Sequence, residues 1–155
     1  MAGKAKDRWT AEGKKFKAEI EKLKKLQVRI GYQQGDVITE DGVDMLDIAM
    51  WNELGTINAP SRPFLRKSVD ENADKINSFC KAQLQRLTKG ETAEEILKQI
   101  GVFSKGLVQE KIVDGEFEPN APSTIRRKKS DKPLIDTGLM RKSVNYIIVE
   151  KGGRK

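Results

Sequence analysis

Histidine is absent from this 155-residue chain, and cysteine occurs once, as Cys80. Without histidine, the commonest general base, the usual partner of a catalytic serine or cysteine, and the commonest metal ligand are all missing. A single cysteine excludes an internal disulfide and a zinc site built from several thiolates. No run of about 18 apolar residues occurs, so no membrane-spanning helix is expected. The charged start Met-Ala-Gly-Lys-Ala-Lys-Asp leads into no apolar signal core. A cytoplasmic chain with a reduced thiol is the expectation. Gly31, Gly35 and Gly42 lack the lysine and serine context of a phosphate-binding loop. No internal repeat or extended low-complexity tract is visible. Taken together these absences point away from an enzyme, and no catalytic residue, cofactor or metal ligand is expected.

Charge is what the chain has in quantity. Charged residues make up 34% and hydrophobic residues only 37%, so a compact core is expected, with much of each helix facing water or a polar partner. The net charge of +7 is distributed in blocks: +5 over residues 1–25, −5 over 26–60, +4 over 61–90, −4 over 91–120 and +7 over 121–155. Alternating blocks suit a protein that meets copies of itself, positive surface to negative, although lopsided solvated helix faces give the same pattern. Asp36, Glu40, Asp41, Asp44 and Asp47 crowd one acidic segment. Carboxylates this dense can hold a hard cation, but calcium-loop spacing is lacking, and Asp44 and Asp47 fit better as acids at a helix N-terminus.

The length suits one domain, with a basic N-terminal helix over 1–26, a core over 27–149 and a polar tail over 150–155. Thr10 can cap a first helix to about Leu26, with Trp9, Phe16, Ile20 and Leu23 in one stripe and a lysine-rich opposite face. Gln27 to Tyr32 alternates as a half-buried strand, and Gln33 to Gly42 reads as a loop. Asp44 can cap a second helix to Leu54 whose apolar face is Leu46, Met50 and Leu54, widened by Ile48 and Trp51; Gly55 stops it. Pro60 and Pro63 stiffen a connector into a third helix to about Leu87. Cys80 falls on that helix's apolar face, as a packed thiol. Thr92 and Glu95 form a capping box for a fourth helix to about Val113. Its Gly101 and Gly106 call for close packing against a neighbour. A long irregular stretch from Asp114 to Pro133 carries Arg126, Arg127, Lys128 and Lys129, with Ser123 able to start a short turn of helix. A short helix capped by Asp136 or Thr137 and a strand from Val144 to Val149 follow. The fold expected is α+β: a small, mainly antiparallel sheet packed against three long helices, with a long irregular loop before the C-terminal strand. Two strands rarely stand alone, so further strands are expected from the loops or from another subunit.

Two segments carry a resemblance. Glu53-Leu54-Gly55-Thr56, followed by Pro60-Ser61-Arg62-Pro63-Phe64-Leu65-Arg66, is similar to one signature of the virion morphogenesis and tail-completion proteins of tailed phages and prophages. Pro133-Leu134-Ile135-Asp136-Thr137-Gly138-Leu139-Met140-Arg141-Lys142-Ser143 resembles a second. The order and separation also resemble that family's, over roughly residues 27–149; Asn58-Ala59-Pro60-Ser61 stands where an isoleucine-proline-alanine run is commoner.

The resemblance implies a structural subunit of the virion neck, assembled in the bacterial host cytoplasm. It implies a homo-oligomeric ring, a hexamer or dodecamer, touching portal, adaptor or tail-tube proteins and passing phage DNA, with no membrane contact. On that reading Arg62, Pro63, Phe64, Leu65 and Arg66, an aromatic between arginines on a stiff connector, are expected at a subunit interface. Asp136, Thr137, Gly138 and Arg141 are expected there too. A ring needs two different surfaces per subunit, and Arg126, Arg127, Lys128 and Lys129 are expected to reach a neighbour or the DNA channel. The alternative is a nucleic-acid-binding module using the basic first helix and the 126–129 run; no aromatic residue interleaves with that run, which argues against single-strand stacking.

Overall fold

The computed structural model describes residues 8–128, 134 and 138–153. The chain is α+β. Its elements are α1 (Ala11–Lys25), β1 (Leu26–Gly31), α2 (Met45–Leu54), α3 (Phe64–Asp70), α4 (Ala73–Arg86), a 3-10 turn (Leu87–Lys89), α5 (Ala93–Asp114), α6 (Pro122–Lys128), α7 (Leu139–Ser143) and β2 (Asn145–Glu150).

The helix starts follow from local chemistry. Thr10 Oγ1 accepts the Gly13 N–H at 3.0 Å to open α1, and Asp44 accepts the Leu46 N–H at 3.0 Å to open α2. The capping box of α5 is complete. The Glu95 N–H donates to Thr92 Oγ1, and the Thr92 N–H donates to the Glu95 carboxylate. These bonds satisfy amides that a helix start otherwise leaves without partners. With 22 residues, α5 spans about 33 Å and forms the spine, touching α1, α3, α4, α7 and both strands.

β1 and β2 pair antiparallel, with Val28 opposite Ile148 and Ile30 opposite Tyr146; the Lys151 N–H bonded to the Lys25 carbonyl continues the ladder. Among the described residues the sheet has these two strands alone, and the loops add only the isolated bridges Ile38–Asp44 and Thr56–Ala59. The loops thus add no strand to the sheet among the described residues, and α5 lies against it. The Tyr146 ring covers Gly101, and a Cβ there would overlap it, 2.6 Å from Cγ. Gly106 faces open space, so close packing explains the first glycine and not the second.

The core gathers Met45, Ala49, Phe64, Val108, Ile112, Leu134, Met140 and Val144. Tyr32 leans edge-on to Phe64, ring centroids 6.2 Å apart, and donates its hydroxyl to the Met140 carbonyl at 2.9 Å. Burial pushes this phenol well above its ordinary range.

Several expectations change. In α2 the buried face is Met45 and Ala49, while Met50, Trp51 and Leu54 point outward. The helix is apolar nearly all round, so its periodicity names no face; contacts with α3 and α7 choose one. The expected third helix is two, parted at Glu71 and Asn72. There Ser68 Oγ donates to the Leu65 carbonyl and Asn72 Nδ2 to the Ser68 carbonyl, side chains competing for main-chain acceptors. Cys80 is half-buried rather than enclosed, and burial raises its thiol pKa; the neighbouring Phe79 stacks on Phe103 of α5 at 4.1 Å. Part of the expected irregular stretch is helical, with Pro122 as the first residue of α6. The N-cap of α7 is Gly138, at φ +77° with no side-chain cap; Asp136 and Thr137 lie outside the described residues.

Candidate assembly surface

The first signature segment folds back on itself. Glu53, in the last turn of α2, accepts the N–H groups of Leu65 at 2.9 Å and Arg66 at 3.1 Å. α3 starts at Pro63 without a side-chain cap of its own, so a carboxylate twelve residues back takes that role, helped by the positive end of the helix dipole. Ser61 Oγ donates to the Glu53 carbonyl at 2.7 Å, and the Arg62 N–H donates to the Asn52 carbonyl at 2.6 Å. Gly55 is required twice over. Its φ is +78°, and a Cβ would sit 2.8 Å from the Ser61 nitrogen.

The clasp encloses part of the segment expected at an interface. Phe64 is 0% exposed and Arg62 6%. The Arg62 guanidinium donates to the Glu118 carbonyl at 2.7 Å and the Pro119 carbonyl at 3.2 Å. Both side chains are therefore engaged within the chain itself. Pro63 and Leu65 are half-buried; Arg66 is exposed. In the second segment Leu134 and Met140 join Phe64 in the core, and Ser143 Oγ donates to the Leu139 carbonyl. Arg141 is exposed, and its carbonyl accepts from Gln109 Nε2 at 3.1 Å. The two signature segments thus meet in one core, bridged by Tyr32. Arg126 and Arg127 stand exposed on the last turn of α6, with Lys128 less so; Lys129 lies outside the described residues.

What the clasp presents to solvent is apolar. Met50 and Trp51 are nearly half exposed, Leu54 is 71% exposed and Ile57 103%. Leu54 is a helical neighbour of Met50 and Trp51, at spacings of four and three. Ile57 sits on the turn beyond them, held by the Thr56 N–H bonded to the Ala59 carbonyl at 2.8 Å. Burying one such side chain is worth about 1.5–3 kcal/mol, and monomeric surfaces seldom leave several together in water. Asp47 lies one turn before Met50 and Trp51. Glu40 and Asp41 share with Trp51 a groove of about 700 Å³ that Arg127, Lys128 and Lys142 also line. Sequence reasoning put Leu46, Met50 and Leu54 on one apolar face; a helix with apolar residues on most sides leaves some of them outside the core.

A second exposed surface, rich in lysine, lies on α1. Its only buried side chain is Glu19, whose carboxylate accepts the buried Ala93 N–H at 2.7 Å and so ties α1 to the start of α5. That bond, more than the neighbouring Lys22, holds the Glu19 carboxyl below its ordinary range. Trp9 lies against Gly13 with Lys17 Nζ 5.7 Å above its ring.

Among the described residues no group of three acidic or thiol side chains gathers to hold a metal ion, and no helix is long and apolar enough to cross a membrane. Comparison with protein-family models, curated proteins and solved structures finds no match.

Proposed function

We propose that the chain is a structural virion protein of a tailed bacteriophage or prophage, a ring-forming tail-completion or head–tail connector subunit at the neck, and not an enzyme. The observation that carries this reading is the apolar surface of Met50, Trp51, Leu54 and Ile57, of which Leu54 belongs to the segment that resembles the family signature and the others adjoin it. Four groups of this kind left in water on a rigid mount are a poor design for a solitary chain and a good one for a subunit. Head-to-tail closure into a ring requires a second, different surface, and the basic α1 with exposed Trp9 is one. The sheet adds to this: with two strands, both outer edges lack a strand partner among the described residues, and such edges pair readily with another chain.

Electron microscopy of the purified protein, together with complementation of a phage lacking it, tests the reading. Rings of one diameter and restored joining of heads to tails are expected. Charge reversal of Arg126, Arg127, Lys128 and Lys129 should abolish joining while the far-UV spectrum is unchanged. A chain that stays monomeric and leaves joining untouched refutes it. A second reading rests on Arg126 and Arg127, exposed together at the end of α6: a nucleic-acid-binding module. Tight duplex binding by monomer, weakening steeply with salt, is its signature.

A further inference from the structure

β1 has an edge that β2 does not use. The Lys151 N–H on the Lys25 carbonyl, at 2.8 Å, sets the alternation of the ladder. Lys25, Gln27, Arg29 and Gly31 bond toward β2, and Val28 and Ile30 turn their main-chain groups to the other side. There the Ile30 N–H and carbonyl have no main-chain partner among the described residues. A groove of about 430 Å³ opens beside them, lined by Ile30, by Leu65 and Val69 of α3, by Ile76 of α4, and by Leu107 and Val108 of α5. No residue of β2 lines it, so it flanks the edge that β2 leaves free. Its charged residue is Arg66, which makes no ion pair among the described residues; Glu53, the acceptor of the Leu65 and Arg66 amides, does not line it. An unpaired strand edge beside an apolar groove suits an extended segment: main-chain bonds hold it, and the groove takes its alternate side chains.

The chain itself displays such a segment. Among the exposed large apolar side chains of the described residues, Ile38, 52% exposed, is the one that forms a strand bridge, to Asp44. The Thr39 N–H donates to the Val43 carbonyl and the Met45 N–H to the Val37 carbonyl, both at 2.9 Å. Ile38 lies between these bonds, so its own N–H and carbonyl point away from the bridge. Asp36, two residues earlier, is exposed and makes no ion pair among the described residues. We propose that residues 37–39 of one copy add to the outer edge of β1 in the next, antiparallel, with Ile38 opposite Ile30. That pair then exchanges both main-chain bonds and sends both side chains to one face, which puts Ile38 in the groove. The same register sets Asp36 opposite Tyr32, whose ring leans on Phe64 at the start of α3, where Arg66 stands. Acid and guanidinium fix the direction of the added strand. Donor loop and acceptor edge differ, so the contact is heterologous, as ring closure requires. The inference deepens the ring reading above and rests on it for the partner being a second copy.

The test joins the mass in solution of the full chain, by light scattering, to amide hydrogen exchange, with far-UV spectra as the control on folding. Wild type should self-associate, and association should slow exchange at the Ile30 and Ile38 amides. Ile38→Asp, in an exposed loop, should weaken association by about tenfold or more, the order expected from losing one buried apolar side chain. Val69→Asp, at the half-exposed rim of the groove, should do the same. Asp36→Lys and Arg66→Asp should each weaken association, and the two together should restore it, because the charges are then exchanged rather than lost. A wild type that stays monomeric overturns this contact and the ring together. Association indifferent to Ile38→Asp, a charge exchange no better than its single variants, or an Ile30 amide that exchanges as fast in the assembly as in the monomer overturns the strand addition and leaves the ring reading to the α2 surface. Association that needs Ile38 and the groove, in a chain dispensable for head–tail joining, upholds the contact and removes the virion reading.

Discussion

Gly101 and Gly106 sit one and a half turns apart on α5 and invite the same substitution with opposite results. In a helix interior, alanine is favoured over glycine by about 0.8–1 kcal/mol. At Gly106 a Cβ meets nothing within 4 Å, so Gly106→Ala should stabilise by close to that amount. At Gly101 the same Cβ overlaps the Tyr146 ring, 2.6 Å from Cγ and 2.8 Å from Cε2. Overpacking of this kind costs about 1–3 kcal/mol. The net effect of Gly101→Ala is therefore a loss of up to about 2 kcal/mol, and the gap between the two variants isolates the overlap because the helix-propensity gain cancels. Thermal and urea unfolding measure it; for a chain this long each kcal/mol moves the midpoint by roughly 2–4 °C. Adding Tyr146→Ala should remove most of the penalty of Gly101→Ala, a coupling read from the double-mutant cycle. Equal stabilisation by both alanines, or a penalty at Gly101 that persists without the Tyr146 ring, refutes the packing of β2 on α5.

Glu53→Ala deprives the Leu65 and Arg66 amides of their carboxylate and should cost about 1–2 kcal/mol, as loss of a helix cap does; Glu53→Gln, which keeps an acceptor, should recover part of it in the same unfolding assay. Glu19→Ala leaves the buried Ala93 N–H without a partner and should cost about 1–3 kcal/mol. Because the folded state holds the Glu19 carboxyl below its ordinary value of 4.5, its stabilisation is complete above that pH and lost as pH falls through the lowered value. The stability gap between wild type and Glu19→Gln should accordingly close in acid, and a gap independent of pH down to acid unfolding would contradict the bond to Ala93. Arg62→Met removes the donors to the Glu118 and Pro119 carbonyls; hydrogen exchange should quicken around residues 116–120 without any change in self-association, whereas an interface role for Arg62 predicts the reverse.

Local chemistry made much of the fold legible in the residues alone. Thr10, Asp44 and the Thr92–Glu95 pair announce three helix starts, because a cap bonds amides only two or three residues away and needs nothing distant. The alternation from Gln27 to Tyr32 and from Val144 to Val149 marks the two strands for the same reason. The tertiary structure decided what depends on residues far apart. It turned the Met45 and Ala49 side of α2 inward and left Met50, Trp51 and Leu54 outside, a choice that a helix apolar on most sides does not express in its own periodicity. It drew Arg62 and Phe64 inside, because the carbonyls of Glu118 and Pro119 and the core around Met140 come from more than fifty residues away. It also revealed Glu53 as the cap of α3, a bond across twelve residues that no capping rule written for neighbours anticipates.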